Sequence, residues 1–428
     1  MQTDMKKKRF ITEFILACFA WFFVVIALLV VARAYSRETL YADEAYLAKH
    51  SGDGTEVATS SGKAAGTEDD VDPDSGVSGE NTVKETAKNE EPKAQDTAAD
   101  GQSDTGVAVS ENGAEDIETV PAVSYRIEGD NVPAPDPDKF VKLTLADADK
   151  MKDVIAEARA SGLLGEDEKV IFSPDVEFVS WGDIRYYLDD SIFVVVWKEM
   201  KNGRYMTYGE IKVRDASQFR RKLADDTYGS PTQYFCTQLD EQVNSVVTMN
   251  ADFYAFRNLG ITVYDGEVHR FETSLDVLFI DENGDFIYYD RNTDTTKEDI
   301  EKFVKDNGVQ FSLAFGPVMV RDHKLVDISS YPIGQNEARY SRTCFCQVDK
   351  LHYLFANIGY FSKENTGGTS EELSQWVWEK GVKEAYMMDG GQTSEIIFNG
   401  EIFNLLSYGN ERTVSDMIYF ATAVEPEG

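Results

Sequence analysis

A chain of 428 residues with 76 acidic against 42 basic side chains carries a formal charge of −34, and so acidic a protein repels nucleic acid and anionic lipid headgroups alike. Four cysteines, one of them in the first apolar run, are too few for a disulfide framework, and four scattered histidines, His50, His269, His323 and His352, offer no HExxH-like zinc pair. Carboxylate-bound calcium or magnesium stays compatible with this composition; no other cofactor is implied.

Residues 1–13 read as a basic cytoplasmic tail, with KKKR at positions 6–9. Residues 14–32 then run for nineteen positions without a charge, long enough at about 1.5 Å per residue to cross a hydrocarbon core. The expectation is a single transmembrane helix over 14–34, with the N-terminus in the cytoplasm and the remainder extracellular by the positive-inside rule. Ala32-Arg33-Ala34 also resembles a signal-peptide cleavage site, the alternative for this segment. Residues 35–135 read as an acidic extracellular linker. Between positions 51 and 120 there is no Phe, Trp or Tyr, and 18 acidic residues face 4 basic ones, a composition that buries too little apolar surface to offset its ordering entropy.

A helical lead-in is expected over 136–174, where LADADKMKDVIAEARASGLL repeats apolar residues at helical spacing before Gly165. From 175 to 428 the pattern becomes mostly strands. VEFVSW, IRYYL, SIFVVVWKEM and RYMTYGEIKV are short and rich in β-branched and aromatic residues, and Asn202-Gly203 marks a hairpin turn. DASQFRRKLADD reads as a short helix. Further strands follow in NSVVTMNADFY, ITVYDGEVHRF, DVLFIDENGDFIYY, FSLAFGPVMVRDHKL, RTCFCQVDKLHYLFANIGY, AYMMDGG and EIIFNGEIF, with helices at TKEDIEKFVKDNG and TSEELSQWVWEKG, the second opened by a Thr369 cap. The fold class is therefore α+β: a mostly mixed or antiparallel sheet with a few packed helices. Cys344 and Cys346 alternate on one strand, so both point to one face, as small core residues do.

Four stretches place polar groups inside apolar strands. In TMNADFY, Asn250 and Asp252 share a face; in FGPVMV, Gly316-Pro317 bends a strand; in ARYSRTCF, Arg339 and Arg342 enter one; in MMDGGQTSEI, Asp389 ends a strand before Gly390 and Gly391. Buried carboxylates and amides need a partner or a ligand, guanidinium suits phosphate, and paired glycines leave backbone N–H groups approachable.

Taken in order, and with ERTVSD after them, these stretches resemble the phosphodiester glycosidase family, whose pattern runs through Asn-Gly-Asp-Phe, Gly-Pro, Arg-Thr, Leu-Asp-Gly-Gly-x-Ser-Ser and Arg-Pro-Val. The resemblance covers roughly 175–422 and implies that Asn250, Asp252, Arg342 and Asp389 are catalytic. It places Gly390, Gly391, Thr343, Thr393, Ser394 and Glu395 against substrate, with Gly316 and Arg412 in support. Implied with it is a membrane-anchored extracellular hydrolase of sugar-1-phosphodiester linkages in envelope glycan or exopolysaccharide. In that role Arg342 and the N–H groups after Asp389 hold the phosphate, while Asp252 or Asp389 serves the anomeric centre. Four features depart from the family: Met387-Met388 stands for Asn-Leu, Asn357-Ile358-Gly359-Tyr360 for the usual Asp-Gly-Arg ending, Ser394-Glu395 for the usual second Ser and following Thr, and Ala251 for the glycine of Asn-Gly-Asp-Phe. They leave open a non-catalytic glycan-binding or assembly protein on the same fold, as well as a phosphodiesterase that cuts P–O.

Overall fold

A computed structural model describes residues 124–359 and 367–426; the basic tail, the apolar run 14–34 and the linker as far as residue 123 lie outside the described residues. Among the described residues no helix is long and apolar enough to cross a membrane.

The centre of the molecule is a nine-stranded antiparallel sheet. Its order is β1 (Phe140–Leu143), β2 (Ile184–Leu188), β3 (Ile192–Lys201), β4 (Arg204–Val213), β15 (His352–Ile358), β14 (Arg342–Asp349), β16 (Glu384–Met388), β12 (Val318–Arg321), β13 (Lys324–Leu325). The run Ile192 to Trp197 does not alternate because both faces of the sheet are covered, and every residue in it is fully buried. Asn202 and Gly203 both take positive φ in the β3–β4 turn, the conformation a two-residue hairpin demands.

On one face lie α1 (Met151–Ala160) and α4 (Ser370–Lys380), packed on Trp197, Cys344, Cys346 and Met387. The other face meets two smaller antiparallel sheets. One has the order β18 (Glu401–Ile402), β17 (Ile396–Phe398), β6 (Val247–Asn250), β19 (Asp416–Phe420), β5 (Phe219–Leu223); the other is β10 (Phe286–Tyr289), β9 (Val277–Ile280), β11 (Phe311–Leu313). Beyond them lie α2 (Cys236–Asp240), α3 (Lys297–Asp306) and the hairpin of β7 (Thr262–Tyr264) and β8 (Glu267–Arg270). The fold is thus a sheet-dominated α+β arrangement of stacked layers, as the strand pattern implied.

Two local expectations change. DASQFRRKLADD is not a helix: Phe219–Leu223 is an edge strand paired with β19, because alternation sends Phe219 and Arg221 inward, the latter to buried carboxylates. VEFVSW touches β3 through a single bridge, Phe178 to Glu199.

The lead-in is fastened to the sheet by a buried histidine. His352 Nδ1 lies 2.9 Å from Glu168 Oε1 and its Nε2 2.9 Å from Glu210 Oε1, while Glu210 accepts from the Ile171 and Phe172 N–H groups. Burial alone lowers the imidazole pKa, but bonds to the two carboxylates outweigh it and raise the value. Two carboxylates flanking one ring require both nitrogens to donate, so the imidazolium is the binding form. A raised histidine contributes stability fully below its unfolded pKa and loses it as pH climbs through the folded value. Urea midpoints of the wild type should therefore fall as pH rises above about 6.5, and His352→Gln, with a single donor group, should be less stable at low pH and lack that decline.

Candidate active site

The chain crosses from the central sheet to the five-stranded sheet between the end of β16 and the start of β17, and that crossing is the loop 389–395. Asn250, the last residue of β6, clamps both of its ends with one side chain: Nδ2 donates to the Asp389 carbonyl at 2.9 Å, and Oδ1 accepts from the Glu395 N–H at 3.0 Å. Thr393 Oγ1 donates to the Gly390 carbonyl at 2.9 Å. A following segment wraps the loop from outside, with Asn404 Nδ2 donating to Ser394 O at 2.8 Å and Ser407 Oγ to Gly391 O at 3.1 Å. Glycine is required twice for different reasons. A Cβ at Gly390 would sit 2.9 Å from Ser341 O, and Gly391 has φ +67 with open space where a side chain would project.

Asp389 stands at the centre. Its side chain is 16% exposed, and its Oδ2 lies 3.8 Å from Arg412 Nη2, itself 49% exposed. The Arg412 guanidinium is 5.8 Å from the centre of the Phe256 ring, within cation–π range. Burial raises the Asp389 carboxyl above its usual range, against the opposing effects of Arg412, Thr393 and the Gly390 N–H. The glycine amides are not bare, as the sequence pattern suggested: Gly390 N donates to Asp389 Oδ1 at 2.9 Å and Gly391 N to Ser341 O at 2.8 Å. The cation beside Asp389 is therefore Arg412, expected only as a support.

The other expected residues are near in backbone but differ in where their side chains go. Arg342 starts β14 beside Gly390, yet alternation points it to the helix-covered face, opposite to Thr343. There its guanidinium donates to the carbonyls of Gly334, Gln335 (2.8 Å), Ala338 (2.8 Å) and Gly368 (3.3 Å). Burial brings its pKa down to about 10, so it remains charged at neutral pH but is spent on main-chain acceptors instead of a phosphate. Asp252 is equally committed: Oδ1 accepts from Arg221 Nη2 at 3.1 Å and Tyr254 N at 2.9 Å, and Oδ2 from Ala314 N at 2.7 Å. Arg221 also meets Asp416 Oδ2 through Nε at 2.8 Å, which completes a carboxylate–guanidinium–carboxylate triad without solvent access.

Gly316, with φ +76, is a support in the literal sense, because a Cβ there would collide with the Tyr331 hydroxyl. Thr343 Oγ1 and Ser394 Oγ are buried with no hydrogen-bond partner among the described residues. Glu395 is fully buried, and its pKa is pushed up to about 9, first by burial and then by the neighbouring Glu411 carboxylate; at neutral pH it is a protonated acid. Asn404, Ser407, Arg221 and Asp416 carry no sequence signal of their own, since an asparagine, a serine and two charged residues are ordinary surface composition until the fold buries them.

The geometry gathers Asn250, Asp389, Gly390, Gly391, Thr393, Ser394, Glu395 and Arg412 into one loop cluster, with a carboxylate facing a cation beside the open space over Gly391. A model of the phosphodiester glycosidase family matches residues 243–421, in accord with the resemblance carried by the ordered motifs. Among individual proteins, the chain is 22% identical over 199 residues to the SPbeta prophage-derived uncharacterized protein YomE of Bacillus subtilis (strain 168), across 45% of this chain and 30% of that relative's length. Structurally it is similar to the zebrafish N-acetylglucosamine-1-phosphodiester alpha-N-acetylglucosaminidase catalytic domain auto-inhibited by pro-peptide (12% identity, 57% of this chain and 86% of that one, TM-score 0.43). A hypothetical protein from Synechocystis aligns at 11% identity over 58% of this chain and 64% of its own, with TM-score 0.38.

Two measurements test this assignment of roles. Arg342→Ala strands several buried carbonyls, and should lower the unfolding free energy by at least about 2 kcal/mol in denaturant titrations; an arginine reserved for phosphate would leave stability unchanged. For Glu395 the folded pKa lies above the unfolded one, so its contribution is full below the usual carboxylate range and is lost progressively up to about 9. Glu395→Gln should accordingly gain thermal stability over wild type as pH rises across that window, read as a widening difference in Tm.

Proposed function

We propose that the protein hydrolyses sugar-1-phosphodiesters at the anomeric C–O bond, on envelope glycan or exopolysaccharide, from a membrane-anchored extracellular position. The observation that carries the chemistry is the Asp389–Arg412 pair, 3.8 Å apart and open to solvent on the arginine side, beside the open space over Gly391. A phosphate monoester is a weakly basic leaving group, so the second negative charge that develops on it as the C–O bond breaks needs little general-acid help. What the reaction needs is neutralisation of the leaving group, supplied by Arg412, and a carboxylate against the positive charge that develops on the sugar ring, supplied by Asp389. In this role Asp389 works in its ionised form, which burial disfavours and the Arg412 guanidinium favours. Asn250 fixes where the carboxylate sits by holding its main chain.

The anchoring part of the proposal rests on the nineteen uncharged residues behind a basic tail and on the long acidic linker after them. A binding-only role on the same fold is the second reading, favoured by the commitment of Arg342 and Asp252 to other protein groups and by the buried Met387 and Met388; it predicts affinity without turnover.

Purified full-length protein should release free sugar from a sugar-1-phosphodiester over many turnovers, and hydrolysis in 18O water should put the label in the sugar. Asp389→Asn should cut kcat/KM by about a thousandfold and Arg412→Ala by about a hundredfold. Label in the phosphate would assign P–O cleavage instead, and wild-type rates in both variants would move the chemistry elsewhere.

A further inference from the structure

Arg412 faces Asp389 from a segment whose neighbouring side chains are fastened elsewhere. Glu411 Oε1 accepts from the Thr237 N–H at 3.2 Å and from the Thr237 hydroxyl at 2.9 Å, and Thr413 Oγ1 donates to Gln233 Oε1 at 2.9 Å. Beside them Tyr234 and Val414 exchange main-chain bonds at 3.1 and 2.8 Å. The residues on both sides of Arg412 are thus tied to α2 and the stretch leading into it, while Arg412 between them turns to Asp389 Oδ2.

Glu411 has a second contact, with Glu395 at the end of the loop 389–395. Glu395 is fully buried, and neither of its oxygens receives a hydrogen bond from any group among the described residues. Two carboxylates that face each other, one of them buried, cannot both be ionised. The contact is satisfied when a proton stands between them, and Glu395 is the one that carries it: burial and the Glu411 charge push its carboxyl up to about 9, whereas Glu411 accepts from Thr237. Cys236 on α2 faces both carboxyls as well, and burial drives its thiol well above the usual range, so it stays neutral and offers no counter-charge. Position 395 is one of the departures from the family pattern, so this link belongs to the present chain and not to the pattern it resembles.

We propose that Glu411 is a positioning residue for Arg412: its carboxylate joins Thr237 of α2 to the carboxylic acid of Glu395, and this double hold on the segment sets the guanidinium against Asp389. The hold belongs to the folded chain alone; its effect on turnover rests on the hydrolase reading. It also gives the site an alkaline limit. As pH rises through about 9 and Glu395 loses its proton, two carboxylates repel across the contact and the segment that carries Arg412 is released from the loop.

The hold is read without turnover from the rate at which phenylglyoxal modifies Arg412 in the full chain at pH 8, followed by peptide mass spectrometry. Glu411→Ala should raise that rate about fivefold, as expected when a charge-assisted contact is lost. Glu411→Gln keeps an acceptor for Thr237 and gains a donor for Glu395, and should stay within about twofold of wild type. Thr237→Val, the milder change, should fall between the two. Turnover of the methyl diester of glucose 1-phosphate adds two comparisons. Glu411→Ala should lower kcat/KM about tenfold in the wild type but less than about twofold in an Arg412→Ala background, the non-additivity of residues that act through one group. Between pH 8 and 10 the wild type should lose about tenfold in kcat/KM, whereas Glu395→Gln, whose amide donates to Glu411 at every pH, should lose less than about twofold relative to its own value at pH 8.

An Arg412 modification rate unchanged in both Glu411→Ala and Thr237→Val, equal losses of turnover with and without Arg412, or a Glu395→Gln profile that falls like the wild type would each overturn the proposal. Faster Arg412 modification in Glu411→Ala of a protein that hydrolyses nothing would support the hold and remove the hydrolase reading. Hydrolysis that depends on Arg412, with its modification rate indifferent to Glu411, would keep that reading and overturn the hold.

Discussion

Arg221 has no route to water, and the arrangement around it depends on that fact. Its guanidinium lies between Asp416 on the neighbouring strand and Asp252 just beyond β6, and it also donates to the Ser312 carbonyl on β11. A lone buried charge costs several kcal/mol, and removing one member of a buried ionic group typically costs about 3–5 kcal/mol. Two carboxylates around one cation leave a net negative charge in the interior, and burial together with Asp252 raises the Asp416 carboxyl despite Arg221. The main-chain N–H groups of Tyr254 and Ala314 share the remaining load on Asp252. The five- and three-stranded sheets are therefore joined through this group, and Asp252, two residues past Asn250 at the end of β6, is held by the same contacts.

Much of the layering was readable because it follows from local pattern. The β-branched and aromatic run of β3 announced a strand, and Asn202-Gly203 announced its turn. Thr369 and Glu372 exchange backbone and side-chain bonds at 3.1 and 3.0 Å, as the capping sequence indicated. Residues 215–226 misled because FRRKL has the composition of an exposed helix; only pairing with β19 and the distant carboxylates reveals an inward arginine. His352 likewise carried no signal, since its two partners stand 184 and 142 positions away.

The site was legible as a set of positions and less so as a set of side-chain roles. Motif order located the loop 389–395 and the strand ends around it, because those are where backbone geometry constrains the residue type: glycine at a close approach, asparagine where two main-chain groups must be bridged. Orientation is a different matter. On a strand, adjacent residues face opposite layers, so Arg342 and Thr343 cannot both serve one cleft, and the folding-back of residues 334–338 decides that Arg342 donates to main-chain carbonyls. Arg412, by contrast, lies on an irregular segment, where no periodicity forecasts its direction.

The single amide of Asn250 has an implication for how this region tolerates change. It grips the loop at its first carbonyl and last N–H, and Asn404 and Ser407 grip it between those points, again through main-chain atoms. The loop is thus a cassette of fixed length whose shape is dictated from outside. Exchanging the side chain of Gln392 leaves the scaffold of the grip intact, whereas inserting or deleting one residue separates the two ends from the amide that spans them. Diversification of this site is accordingly expected by substitution within the cassette and by lengthening of the segment that follows it, with the span between residues 389 and 395 held constant.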